Sequence, residues 1–190
     1  MEADWEIEIG GDAPVIDARW AGFVDLRLEP ERAARLPEAS ELPELADALV
    51  RLNAADSPVW TSKCDVWKAD RFDSDEMDAP AGKGVSALAC YIDLLPRNER
   101  EWRLAAQALA ACKALCGRLL DTPLRSSRAD LIVRRACARG DEDEHGVTAY
   151  IAACGSTVEE ARATLGRALG VFVDCAVRGN NHAAYTSTLQ

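Results

Sequence analysis

Apolar and acidic side chains alternate along Trp5-Glu6-Ile7-Glu8-Ile9, the period of a strand with one buried face, and Gly10-Gly11 ends it. Residues 12–19 read as a loop, and Phe23 to Arg27 as a short second strand before Pro30. From Glu31 the period turns helical. A short piece runs to Leu36 and, after Pro37, a helix spans Pro43 to Ala54, with Leu42, Leu45, Ala46, Leu49 and Leu52 on one face.

The run from Val59 to Lys68 is rich in β-branched and aromatic residues and predicts a strand. Simple alternation places Trp60, Ser62, Cys64 and Val66 on one face and Thr61, Lys63, Asp65 and Trp67 on the other. A long connection from Asp70 to Lys83, rich in Asp, Pro and Gly, leads to a second strand from Val85 to Leu95, ended by Pro96. Asn98-Glu99-Arg100-Glu101 has the spacing of a capping box and opens a helix to about Leu120. That helix has a narrow polar stripe (Arg103, Gln107, Arg118), which predicts burial on several sides, at the centre of the domain or between subunits. A strand from Ala129 to Cys137, an acidic turn over 138–146, a strand from Val147 to Cys154 and a helix from Ser156 to Val177, stopped by Gly179, complete the chain.

The order β-(β)-α-β-β-α-β-β-α predicts an α+β fold, a largely antiparallel sheet with helices packed on one face. A chain of 190 residues suits one domain. Within it lie an N-terminal strand and helix region (1–57), two ββα units (58–121 and 128–179) and a polar tail (180–190). An offset of 59 positions lays Tyr91 on Tyr150, Ile92 on Ile151, Glu101 on Glu160 and Arg103 on Arg162, with the helix starts in register. This suggests a duplication, in which residues 85–120 would superpose on 144–179.

Charge changes this picture. Residues 1–50 hold 13 Asp or Glu against 4 Arg, so they carry −9 of the net −10. The repeated part is nearly neutral. An acidic chain without a Lys/Arg cluster repels phosphate backbones and anionic lipid, so no nucleic-acid partner is expected. The apolar stretch Leu104 to Leu120 is interrupted by Gln107, Lys113 and Arg118 and is too short for a membrane span. The acidic start does not resemble an export or import signal, and a cytoplasmic protein is expected. The seven cysteines include no Cys-x-x-Cys and are read as free, small apolar residues.

No catalytic constellation, metal site or cofactor motif emerges. There is no Gly-x-Gly-x-x-Gly, and Gly82-Lys83-Gly84 lacks P-loop spacing. His145 and His182 stand alone, whereas zinc needs three or four convergent ligands. The acidic loops (Asp70, Asp73, Asp75, Glu76 and Asp78; Asp141, Glu142, Asp143 and Glu144) lack EF-hand spacing and read as solvated. Cys64 falls on an apolar face and is read as core, and Gly166 and Gly170 as helix-packing positions.

The candidate binding residues are Lys63, Asp65 and Trp67 on one strand face, with Asp93 on a neighbouring strand. Exposed aromatic and charged groups on a sheet are what a recognition surface uses. The expected function is a non-catalytic binding or protein-interaction module. Its partner would be a second copy, through the helix 98–120, or a basic protein drawn by the negative charge. The alternative is a small carboxylate-based enzyme, with or without a divalent ion.

Overall fold

The β-branched and aromatic runs form a mixed, mostly antiparallel sheet, and the longer helices cover one of its faces, an α+β architecture. The computed structural model describes residues 1–18, 20–70, 72–73, 77–79, 85–98, 100–137 and 144–178. Its elements are β1 (Glu2–Glu8), β2 (Val15–Asp17), a 3-10 turn (Pro30–Arg35), α1 (Pro37–Glu41), α2 (Pro43–Asn53), β3 (Val59–Lys68), β4 (Ser86–Pro96), α3 (Ala105–Leu120), β5 (Ser127–Cys137), β6 (Glu144–Gly155) and α4 (Val158–Val177). The strand order is β1-β5-β6-β4-β3, with β2 beside β5. The pairs among β3, β4, β6 and β5 are antiparallel, whereas β1 and β2 run parallel to β5.

The main core lies between the sheet and the helices. Leu165, Leu169 and Phe172 of α4 meet Ile92, Leu94, Leu131 and Ile151 of the sheet and Leu45, Leu49 and Leu52 of α2. Helix α4 covers β6 and β4, with α2 beside it, and α3 covers β1 and β5. Thr157 caps α4, its hydroxyl accepting from Glu160 N at 3.1 Å while the Glu160 carboxylate accepts from Ser156 N at 2.8 Å. A Cβ on Gly166 would sit 2.8 Å from Cγ of Glu44, so this glycine lets α2 and α4 approach closely. No helix among the described residues is long and apolar enough to cross a membrane.

Several expectations are corrected. The third helix begins at Ala105, not at Asn98. Glu101 N instead donates to the Asn98 carbonyl at 2.9 Å. The cause is Trp102, which is buried in the core. Burying an indole outweighs a further turn of solvated helix. Gln107 Oε1 accepts from Leu104 N at 3.0 Å, but Leu104 has no side-chain oxygen to return the bond. The offset of 59 therefore carries Ala105 to position 164, inside α4, and the helix starts do not coincide. Nor is α3 central. Only its stripe of Ala108, Cys112, Leu115, Cys116 and Leu119 is buried, and α4 is the more enclosed helix.

The first strand has no continuous buried face, because β1 lies at the sheet edge where the helix layer ends. Met1 and Ala3 pack in the core, but Trp5 is 37% and Ile7 42% exposed. The Lys113 ammonium stands 4.2 Å from the Trp5 ring. The expected loop over 12–19 contains β2, which pairs with residues 135–137, and the expected strand from Phe23 to Arg27 is irregular chain. There Phe23 packs edge-on against Trp60 at 6.1 Å and the Arg27 guanidinium lies 3.9 Å from the same ring.

The faces of β3 also differ from simple alternation. A bulge between Thr61 and Cys64 shifts the register against β4. Before it, Trp60 joins Ile16, Ala18, Leu95 and Ala136 in a small second core, while Thr61 reaches Asn53 of α2 at 2.7 Å. After it, Cys64 and Val66 pack towards the main core. Trp60 and Cys64 therefore face opposite ways.

Candidate binding face

The sheet face turned away from the helices carries a continuous row of cross-strand neighbours: Asp65 of β3, Tyr91 of β4, Tyr150 of β6, Asp130 of β5 and Asp4 of β1. In the next row Trp67 and Arg128 are separated by Ala89 and Ala152. The small alanines leave room for the indole to lean across the sheet. Its ring centroid lies 6.3 Å from Tyr91 and 6.4 Å from Tyr150, and the two tyrosines are 5.9 Å apart. Each ring thus touches the other two, at spacings favourable for tilted aromatic pairs. Trp67 nevertheless remains 38% exposed.

Beside the rings is a polar network. Asp93 is only 6% exposed, and its Oδ1 accepts from the Thr148 hydroxyl at 2.6 Å. Arg134 donates to Thr148 Oγ1 and to the Tyr150 hydroxyl, each at 3.3 Å, and to Glu8 at 3.0 and 3.2 Å. Burial pushes the Asp93 carboxyl above its ordinary value of 3.8, against the Thr148 hydrogen bond and the charges of Arg134 and Lys63. Burial also opposes the Arg134 cation, but Tyr150 and Glu8 more than offset it and its pKa rises. Tyr91 is pushed up to about 12, first by burial and then by Asp93 and Asp65, so it stays a neutral phenol.

The structure brings Asp65, Trp67 and Asp93 to this one face, while Lys63 lies within the bulge, its charge acting on Asp93 and its ammonium 5.7 Å from the Trp20 ring. Thr61 is not part of it, because the bulge turns Thr61 towards α2. The linear pattern did not single out Tyr91, Tyr150, Thr148 or Arg134. The available signal was alternation on β4, where Tyr91 and Asp93 share a face, together with the Tyr91 to Tyr150 match at offset 59.

Other candidates separate from this face. The Cys64 thiol is pushed up to about 12 by burial and then by Glu38, Asp65 and Asp93, which makes it a poor nucleophile. His145 lies at the start of β6, its amide donating to the Trp102 carbonyl at 3.1 Å. In the first acidic loop Asp78 sits 3.9 Å from Arg125, and no group of three metal-capable side chains occurs among the described residues. Asp75, Glu76, Gly82-Lys83-Gly84, Asp141, Glu142, Asp143, Gly179 and the tail 180–190 with His182 lie outside the described residues.

Alternation along β1 adds Glu2, Asp4, Glu6 and Glu8 to the same open face, opposite Arg128, Asp130, Ile132 and Arg134 of β5. Two of the face's cations are already paired, Arg134 with Glu8 at 3.0 Å and Arg128 with Asp130 at 2.8 Å. The face is therefore aromatic at its centre and acidic around it. No protein-family model, curated protein or solved structure matches this chain.

Proposed function

We propose that the protein is a non-catalytic interaction module that binds a basic protein partner on the open face of its sheet. The observation that carries this reading is the group of Trp67, Tyr91 and Tyr150, in mutual contact on a face that none of the described helices covers. Aromatic anchors dominate the energetics of many interfaces, and surrounding carboxylates favour a cationic partner over an anionic one. Such rings also take cations on their faces.

Calorimetric titration of a Lys/Arg-rich peptide, and of the same peptide with glutamate at the basic positions, tests it. The basic peptide should bind with an affinity that falls as salt is raised. Trp67→Ala should weaken binding by about tenfold or more, the loss of a single anchoring aromatic. Equal affinity for both peptides, or an unaffected Trp67→Ala protein, would refute the reading.

A two-copy assembly through the helix 98–120 is the second partner reading, and it draws on Leu104 and Leu120, which stand exposed at the ends of α3. It ranks lower because the longest apolar stripe of α3 is buried against its own sheet. The carboxylate-enzyme alternative, with or without a divalent ion, needs convergent acids, and the buried Asp93 of this face has a hydroxyl, not a second acid, as its hydrogen-bonding partner.

A further inference from the structure

On the opposite side of the sheet, α3, α4 and the strand ends line a solvent-open cleft of about 470 Å³. Volumes of roughly 300 to 1,000 Å³, mostly apolar with a few placed polar groups, are typical of small-ligand sites. Val59, Leu94 and Val147 line it from the sheet, Ala111 and Leu115 from α3, and Ala176 from α4. Its polar lining is uneven. Glu101 and Gln107 lie towards the N-terminal end of α3, and Arg118 near its C-terminal end.

Gln107, Ala111, Leu115 and Arg118 follow one another at four-, four- and three-residue steps, so they share one stripe of the helix. The eleven residue steps from Gln107 to Arg118 span roughly 16 Å at about 1.5 Å per residue. Arg118 Nε donates to the Cys175 carbonyl at 3.0 Å, and among the described residues no carboxylate lies within ion-pair distance of its guanidinium. Burial pulls its pKa below the ordinary value. A partly desolvated cation without a counter-charge is unfavourable, and an incoming anion would relieve it. Gln107 is already held by the Leu104 amide, and Cys112, also in the lining, has its thiol directed to the Leu131 carbonyl at 3.8 Å.

We infer that this cleft binds a free amphipathic carboxylate, its apolar chain lying along α3 and its head group on Arg118. An extended ten-carbon chain advances roughly 1.3 Å per bond and is about 11 Å long, which matches the part of the stripe from Ala111 to Arg118, seven residue steps of about 1.5 Å. This site is separate from the open sheet face, and either can exist without the other.

Calorimetry with decanoate on the full chain tests the inference, with decanol and decyltrimethylammonium as the same chain without the negative head. Decanoate should bind at a single saturable site, and the other two about tenfold more weakly or worse, the worth of one charge-assisted hydrogen bond. Arg118→Gln should bring decanoate down to the level of decanol and leave decanol unchanged, whereas Arg118→Lys should keep part of the preference. Ala110→Trp, at an exposed position on the rim, should block both ligands without lowering the melting temperature. Trp67→Ala should leave decanoate binding as it was. Absence of saturable decanoate binding, equal affinity for decanol, or an Arg118→Gln protein that still prefers the acid would overturn it. So would co-sedimentation with phosphatidylglycerol vesicles by a protein that does not bind decanoate, since the ligand would then be a membrane lipid.

Discussion

Asp93 shows how one residue links the open face to stability. Its carboxyl is buried and satisfied on one oxygen by Thr148, and its pKa lies above 3.8 in the folded chain. The folded state therefore holds the proton more tightly than the unfolded state does. Between the unfolded and folded pKa values the native protein carries more protons, so stability falls as pH rises through that window. The stabilising effect of the neutral acid is present below about pH 3.8 and lost above the raised value. Asp93→Asn keeps an acceptor for Thr148 and removes the buried charge. Thermal melts should show the variant more stable than the native protein at pH 7, with the difference closing below pH 4. A variant less stable at pH 7 would mean that Arg134 and Lys63 compensate the charge more fully than its burial implies.

At the scale of elements, the packing of α2 on α4 makes a paired prediction from the two glycines of α4. Nothing lies within 4 Å of a Cβ built on Gly170, so Gly170→Ala should gain helix propensity without a clash. That gain is about 1 kcal/mol, or roughly 2 to 4 °C in melting temperature for a chain of this size. On Gly166 the new methyl would lie 2.8 Å from Cγ and 3.0 Å from Cδ of Glu44, which must move away. Gly166→Ala should therefore gain less in the same melts, and equal gains would show that α2 yields freely.

The elements also show what the linear pattern could convey. Alternation and helical period are local, so the α+β class and most element positions were legible, as was the shared face of Asp65 and Trp67. The bulge at Thr61 to Cys64 was not, because neither Gly nor Pro marks it. The true start of α3 was hidden because Trp102 gains more from the core than Asn98 gains from capping a helix. Tyr91 and Tyr150 come together only through the pairing of β4 with β6, a register between distant segments that no local window contains.

At the scale of the whole molecule, the acidity of the first fifty residues acquires a location. Part of it lies on β1, which extends the open face with Glu2, Asp4, Glu6 and Glu8. Of these, Glu8 is committed to Arg134 and has a structural role, while Glu2 and Glu6 form no ion pair among the described residues and Asp4 stands 3.9 Å from Arg128. Charges at the rim of an interface act mainly on encounter, whereas a central aromatic anchor acts on residence time. The two groups should therefore separate kinetically. With the Lys/Arg-rich peptide in stopped flow, a Glu2→Gln, Asp4→Asn, Glu6→Gln protein should associate several-fold more slowly at low salt and lose most of its salt dependence. Trp67→Ala should associate normally and dissociate about tenfold faster. At 0.1 M salt, where screening acts over about 10 Å, the triple variant and the native protein should converge in association rate. If the triple variant instead raised the dissociation rate and left association unchanged, β1 would be part of the contact itself, and the centre of the site would move from the aromatic group towards the sheet edge.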